Sequence, residues 1–223
     1  MQTNPHLIVM LTYNDKTVLN ASEIFEKCKN SSAEYWGFKE EGLPISQMKN
    51  LYNHIKSAGK TAVLEVVAYD EENCLKGAKM AVDCDCDILM GTMYFDSVNK
   101  LCHENNIKYM PFVGDVYERP SILSGDIDDM INKAKSYIEK GAYGIDLLAY
   151  RYTGDYHDLI KRFVNEVNAP VCLAGSVNSY ERLDEIKKIS PWAFTIGSAF
   201  FDNDFGDNFL DQINTVCDYI KES

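Results

Sequence analysis

Three charged residues sit inside apolar runs where a charge is costly. Lys39 ends Tyr35-Trp36-Gly37-Phe38-Lys39, Glu65 interrupts Val63-Leu64-Glu65-Val66-Val67, and Asp146 interrupts Gly144-Ile145-Asp146-Leu147-Leu148. A buried charge must be paired, neutralised or used. Lys39 and Glu65 are natural partners, and the plain reading is a structural ion pair. The functional reading is a catalytic lysine with tuned carboxylates beside it, Glu65 and Asp146 serving as acid and base. Asn14 and Asp15 follow the first apolar run, and Tyr150 and Arg151 follow Asp146. Asn14, Tyr150 and Arg151 are therefore candidates for holding the substrate. Carboxylates on several strands around one lysine suit proton transfer next to a carbonyl. Lys39 would either polarise that carbonyl and hold an enediolate, or condense with it as a Schiff base.

A second signal lies near the C-terminus, where Ala174-Gly175-Ser176-Val177-Asn178-Ser179 and Ile196-Gly197-Ser198-Ala199-Phe200 end two short β-branched runs. Glycine lets backbone N–H groups approach an oxyanion, serine adds a hydroxyl donor, and a following helix aims its positive end at the same point. Gly175, Ser176, Gly197 and Ser198 are read as a phosphate site, with ordinary tight turns as the alternative.

These residues need elements to position them. Eight apolar runs read as strands: Leu7 to Thr12, Glu34 to Lys39, Thr61 to Val67, Asp87 to Thr92, Ile107 to Val113, Tyr143 to Leu148, Pro170 to Ala174 and Trp192 to Gly197. Each precedes a stretch of helical periodicity, such as Leu51, Ile55 and Ala58 or Leu159, Ile160, Phe163 and Val164. The runs begin on average about every 26 residues, which suits a compact α/β fold, a single (β/α)8 TIM barrel with eight parallel strands filling residues 1–223. An open doubly wound sheet would more often use fewer strands and a glycine-rich first turn. Here that turn is Thr12-Tyr13-Asn14-Asp15. Barrel sites form at the C-terminal strand ends, where Lys39, Glu65, Asp146 and both Gly-Ser turns fall, with Asp146 and Tyr150 sharing inward parity.

The pattern Ala169-Pro170-Val171 to Ala174-Gly175-Ser176-Val177, then Tyr180 to Ile186, then Ala193-Phe194-Thr195-Ile196-Gly197-Ser198-Ala199-Phe200 resembles the ribulose-phosphate-binding barrel superfamily. That group includes histidine- and tryptophan-pathway isomerases, phosphate-containing epimerases, indole-glycerol-phosphate synthase and 3-keto-gulonate-phosphate decarboxylase. The resemblance implies a phosphorylated substrate at Gly175, Ser176, Gly197 and Ser198. The first strand lacks the inward Asp of the histidine-pathway type, and the third lacks the Asp-x-Lys-x-x-Asp of the decarboxylase type, so no catalytic set carries over. Two outcomes stay open: a sugar-phosphate isomerase, epimerase or aldolase-type lyase, and a non-catalytic barrel that binds a phosphorylated metabolite.

Composition narrows the partners. With 34 acidic against 22 basic side chains the formal charge is -12, which repels nucleic-acid backbones and anionic lipid. No run is long enough to span a membrane. Seven cysteines, an odd number, and a start without a basic-then-apolar leader suit reduced thiols in the cytoplasm. Asp83-Cys84-Asp85-Cys86-Asp87 lacks a second ligand cluster and reads as a helix-to-strand turn rather than a metal loop. The histidines at 6, 54, 103 and 157 do not converge, so no metal ligand is assigned. No cofactor is required by this reading, although Mg²⁺ held with the substrate stays open. Asp202, Asp204 and Asp207 read as solvated or helix-capping. The segment from Gly114 to Asp126 is long for a βα turn and is read either as a lid or as a loop, mobile or packed on a second copy, which leaves homo-oligomerisation open.

Overall fold

The structure, a computed structural model, describes residues 4–222; the N-terminal stretch read above for a leader begins outside them. Eight parallel strands form the sheet: β1 His6–Met10, β2 Tyr35–Lys39, β3 Thr61–Val66, β4 Ile88–Met93, β5 Lys108–Phe112, β6 Ile145–Leu147, β7 Val171–Leu173 and β8 Ala193–Ile196. Their order, β6-β7-β8-β1-β2-β3-β4-β5, is that of a (β/α)8 barrel. Closure between β5 and β6 is made by the N–H groups of Tyr143 and Gly144, which donate to the Tyr109 carbonyl at 2.9 and 3.3 Å.

The outer layer is built by α1 Ala21–Cys28, α2 Ile45–Ser57, α3 Glu71–Asp83, α4 Asp96–Glu104, α5 Ile127–Glu139, α6 Tyr156–Glu166, α7 Tyr180–Ile189, α8 Ser198–Phe201 and α9 Phe209–Lys221. Side chains fix several helix starts: Asp70, Asp126, Asp155, Ser179 and Asn208 each accept a hydrogen bond from a first-turn N–H of the helix they precede. Each such cap contributes about 1 kcal/mol. Among the described residues no helix is long and apolar enough to cross a membrane.

Strand alternation divides the core in two. Trp36, Phe38, Leu64, Leu89 and Phe194 pack outward against the helices, while Ile8, Met10, Val63, Ile88, Met90, Met110, Cys172 and Ala193 fill the barrel interior. His6, Tyr35, Tyr143 and Trp192 stack edge to face at the N-terminal end of the strands, with ring centroids 5.0 to 5.9 Å apart. That end is thus closed by aromatic rings, and polar residues of inward parity collect at the other.

Two local features re-aim the chain at the C-terminal rim. β1 stops at Met10, short of the Thr12 end read from the sequence, because Thr12–Tyr13 and Lys16–Thr17 form a small antiparallel hairpin. Its tip residues Asn14 and Asp15 both take left-handed conformations (φ 49° and 64°), the backbone of a two-residue hairpin turn. In β4 the register shifts between Met90 and Met93, and Gly91 and Thr92 have φ 71° and 62°. A left-handed conformation is costly for a β-branched residue. Thr92 is held there by complete burial and a 2.8 Å hydrogen bond shared with the Tyr109 hydroxyl. A Cβ on Gly91 would fall 2.4 Å from the Val66 carbonyl oxygen. Gly91→Ala is expected to cost about 2–4 kcal/mol in urea denaturation; an unchanged midpoint would show that this bulge is not a fixed part of the fold.

Candidate active site

Lys39 is the last residue of β2 and is 7 % exposed. Its backbone is clamped by Thr17, whose hydroxyl accepts from the Lys39 N–H and donates to the Lys39 carbonyl, each at 2.8 Å. The side chain points into the barrel mouth, where Nζ lies 3.2 Å from Glu65 Oε1 and pairs closely with Asp15 Oδ1. Burial pushes the ammonium toward losing its proton, yet the attraction of Glu65 and Asp15 outweighs it, and the Lys39 pKa is raised above the ordinary lysine value. The Lys39–Glu65 pairing read from strand parity is present, and strand register places the two side by side. Asp15, noted in the sequence only as a further carboxylate, is the second partner.

The other oxygen of Asp15 meets Arg119 Nε at 3.0 Å. Arg119 also pairs with Glu40 Oε1 at 2.6 Å and with Glu41. Glu40 Oε1 in turn accepts from the Val67 N–H at 3.1 Å. Arg119 is carried by the segment after β5, which forms an antiparallel hairpin of Asp115–Tyr117 with Ile122–Ser124. The Tyr69 hydroxyl ties the hairpin's tip down, donating to the Glu118 carbonyl at 2.7 Å and lying 2.8 Å from Ser121 Oγ. This long connection is therefore an ordered strap anchored to the rim, and its Pro120 lines the mouth.

A cavity of about 250 Å³ opens at this end of the barrel. Asn14, Lys39, Glu65, Arg151, Gly175, Ser176, Gly197 and Ser198 all line it, together with Thr12, Asp15, Asn178 and Thr195. Gly175 has φ 88°, and a Cβ there would meet the Arg151 side chain at 3.0 Å. The guanidinium stem lies across this glycine, and Arg151 Nε reaches Ser176 Oγ at 3.4 Å. A Cβ on Gly197 would fall 2.8 Å from Thr12 Oγ1, so glycine lets β8 pass close to the first hairpin. Ser198 then begins the short helix α8.

Two sequence-predicted residues do not reach the cavity wall. Asp146 is 1 % exposed and lies one step deeper, paired in register with Cys172. Neither of its carboxyl oxygens has a hydrogen bond of ordinary geometry, although the Gly91 N–H points toward it. Burial first, and the charge of Glu65 second, hold its pKa well above the usual carboxylate range against the pull of Lys39. Asp146 thus sits beneath the Lys39–Glu65 pair in surroundings that favour its protonated form. Tyr150, expected inward by parity with Asp146, is turned away. β6 ends at Leu147, and Ala149–Arg151 is a single 3₁₀ turn, so strand alternation no longer applies. Its ring packs on Tyr156 at 5.5 Å and under the Arg182 guanidinium at 4.7 Å.

Asp202 and Asp204, read as solvated or capping, both line the cavity. The α8 turn folds the chain back over the mouth, with the Asp204 N–H donating to Ala199 O at 3.0 Å and Tyr13 OH to Asp202 Oδ1 at 3.1 Å. The Asp83–Asp87 segment lies at the far end of the barrel, before β4. His157 pairs with Glu185 at 3.2 Å and does not line the cavity. Among the described residues no group of three His, Cys, Asp or Glu side chains is placed to hold a metal.

No protein-family profile matches the sequence, and no curated protein does. Solved structures do match in shape. Tryptophan synthase from M. tuberculosis superposes with a TM-score of 0.72 at 12 % identity, over 100 % of this chain and 94 % of that one. N-(5'-phosphoribosyl)anthranilate isomerase from Pyrococcus furiosus gives 0.68 at 13 %, over 97 % and 98 %. Orotidine 5'-phosphate decarboxylase from Pyrococcus horikoshii OT3 gives 0.69 at 11 %, over 97 % and 100 %. The likeness is one of fold. These neighbours, by name a synthase, an isomerase and a decarboxylase, share the (β/α)8 architecture with this chain.

The buried Asp146 carboxyl makes a measurable prediction. A carboxyl whose pKa is raised on folding supports the fold below its unfolded pKa of about 3.9 and loses that support as pH rises through the folded value. Asp146→Asn removes the effect. From about pH 4 upward the variant's stability, relative to the unchanged protein, is expected to rise by about 1.4 kcal/mol per pH unit until the folded carboxyl ionises. Urea denaturation across pH checks this; a pH-independent difference would mean that Asp146 ionises alike in both states.

Proposed function

We propose that the protein is an enzyme acting on a phosphorylated sugar or keto-type metabolite, and that it moves a proton on carbon beside a carbonyl, as isomerases and epimerases do. The observation that carries this reading is the position of Lys39, a charged ammonium held by two carboxylates in one cavity with the Gly175-Ser176 and Gly197-Ser198 turns. Neighbours of the same fold include enzymes whose names carry a phosphorylated compound, among them N-acetylmannosamine-6-phosphate 2-epimerase from Clostridium perfringens. The phosphate would rest against Ser176, Ser198 and Arg151, leaving the carbonyl carbon toward Lys39. Glu65 would take the proton from carbon, and the Lys39 ammonium would stabilise the negative charge that develops on the carbonyl oxygen. Glu65 would return that proton to the same or the neighbouring carbon, and Asp146, buried behind the cavity wall, would tune Glu65 without exchanging protons with the substrate.

The raised pKa of Lys39 favours this role over a Schiff base, because condensation with a carbonyl needs the neutral amine. Asp202 and Asp204 disfavour an anion at the outer rim, so the phosphate belongs on the inner side, beside Arg151. The reading assigns no step to a cofactor and leaves room for Mg²⁺ arriving with the substrate.

Nuclear magnetic resonance of a panel of aldose and ketose phosphates in deuterated buffer tests the chemistry. The carbon-bound hydrogen next to the carbonyl should exchange for at least one member, and Lys39→Met or Glu65→Gln should slow exchange by about 10²–10⁴-fold. Sodium borohydride added with the same compounds should leave Lys39 unmodified; a reduced adduct on Lys39 would instead establish the aldolase. Thermal protection by these phosphates with no exchange in any of them would leave a binding protein and remove the enzyme.

Charge substitutions test the phosphate position separately. Ser198→Asp should weaken, and Asp204→Asn should strengthen, protection by inorganic phosphate, each by about fivefold in affinity, or ~1 kcal/mol. If neither substitution changes protection, the anion binds elsewhere.

A further inference from the structure

The two carboxylates that hold Lys39 are not equivalent, although both line the cavity. Asp15 spends both oxygens on cations: Oδ1 pairs with Lys39 Nζ, and Oδ2 lies 3.0 Å from Arg119 Nε. Glu65 meets Lys39 through Oε1 at 3.2 Å, and among the described residues its side chain pairs with no other cation. Glu65 therefore has an oxygen to offer a ligand, and Asp15 has none. The difference matters when a proton is taken from carbon. Glu65 then loses its negative charge, and a lysine as buried as Lys39 keeps its own only if a second carboxylate stays ionised beside it.

Asp15 stands at the tip of a two-residue turn, so strand register does not fix it as it fixes Glu65. Arg119 does that work from the strap. The strap is fastened at its base as well as at its tip: the Tyr152 hydroxyl donates to the Gly125 carbonyl at 2.7 Å, and the Thr153 N–H donates to the Leu123 carbonyl at 2.9 Å. Its guanidinium spreads over three carboxylates from two elements, Asp15 of the first hairpin and Glu40 and Glu41 after β2. Glu41 has a further cation, Lys16 Nζ, at 3.4 Å. The other charged and titratable groups around Lys39 are Glu65 on β3, Asp146 on β6, Cys172 on β7 and Arg151 across the cavity. Without the guanidinium, Asp15 faces the like charges of Glu40 and Glu41, and repulsion drives the turn that carries it away from Lys39.

We propose that Arg119 is a positioning residue for the reaction at Lys39: it holds Asp15 as the standing counter-ion of the ammonium and so leaves Glu65 free to take the substrate's proton. The inference rests on the function proposed above. In the step it serves, the C–H bond breaks, Glu65 gains the proton, and the electron pair moves to the carbonyl oxygen. Lys39 and Asp15 keep their charges throughout. Arg119 touches no reacting atom and acts only through Asp15.

The experiment labels the whole protein with trace acetic anhydride across pH and reads each lysine by mass after trypsin. Trypsin does not cut at an acylated lysine, so labelled Lys39 appears in the peptide from Asn30 to Lys49. Lys60, which donates to the Ser31 and Ala33 carbonyls at 3.1 and 2.8 Å at the other end of the barrel, is the control. Arg119→Met and Asp15→Asn are each expected to make Lys39 label at lower pH, about tenfold faster at a given pH, with Lys60 unchanged. In the Asp15→Asn background Arg119→Met should add less than about twofold, because both act on one contact. Arg119→Lys should restore most of the original labelling, and hydrogen exchange on the substrate carbon should fall and recover in the same pattern. Labelling needs no turnover: if the enzyme reading is wrong, exchange is absent in every variant while the labelling pattern persists. The proposal is overturned if Arg119→Met leaves Lys39 labelling unchanged, if it raises the pH at which Lys39 labels, if its effect adds to that of Asp15→Asn, or if Lys60 shifts along with Lys39.

Discussion

The ammonium of Lys39, shared between Asp15 and Glu65 inside the mouth of the barrel, is the interaction around which the C-terminal face is arranged. A lysine this buried keeps its charge only because two carboxylates face it. Each carboxylate needs its own positioning. Glu65 is fixed by strand register beside Lys39. Asp15 depends on a two-residue turn in left-handed conformation, on Thr17 clamping the Lys39 backbone, and on Arg119 covering its second oxygen. Arg119 in turn ties the strap after β5 to Glu40 and Glu41, so the ion pair and the roof of the site form one connected network. A third ionised carboxyl would upset that balance, and the burial of Asp146 works against its ionisation.

The proposed phosphate site has to work within a chain whose net charge is -12. The long-range field is unfavourable, so attraction has to be local and short-ranged. On the proposed function Arg151, Ser176 and Ser198 would provide it, in the cavity that Asp202 and Asp204 also line. Among the cavity residues positive charge occurs at Lys39 and Arg151, and the proposed ligand, with a phosphate at one end and a carbonyl at the other, would use both. The N-terminal end of the barrel, plugged by His6, Tyr35, Tyr143 and Trp192, offers no comparable opening.

Much of this was legible in the sequence, because barrel strands obey a simple alternation. A polar residue of inward parity at a strand end has nowhere to go but the mouth, which is why Lys39, Glu65 and both Gly-Ser turns could be placed together. The reasoning failed where alternation stopped. Tyr150 lies beyond the end of β6 in a 3₁₀ turn, and the short hairpin at residues 12–17 replaced the end of the first strand. Pairings between distant loops left no local trace either: nothing near Arg119 in sequence announces Asp15, Glu40 or Glu41 as its partners. Asp202 and Asp204 were judged as loop acids because the fold-back after α8 that brings them to the rim is a tertiary event.

The proposed function requires one cavity to take a phosphate at the β7 and β8 turns and a carbonyl at the Lys39 ammonium. A crystal structure of the protein with a bound ketose phosphate tests it most directly. The account predicts phosphate density against Ser176, Ser198 and Arg151, with the carbonyl oxygen within hydrogen-bond distance of Lys39 Nζ and no covalent bond between them. Phosphate seated elsewhere, or a ligand whose carbonyl faces away from an undisturbed Asp15–Lys39–Glu65 triad, would contradict it.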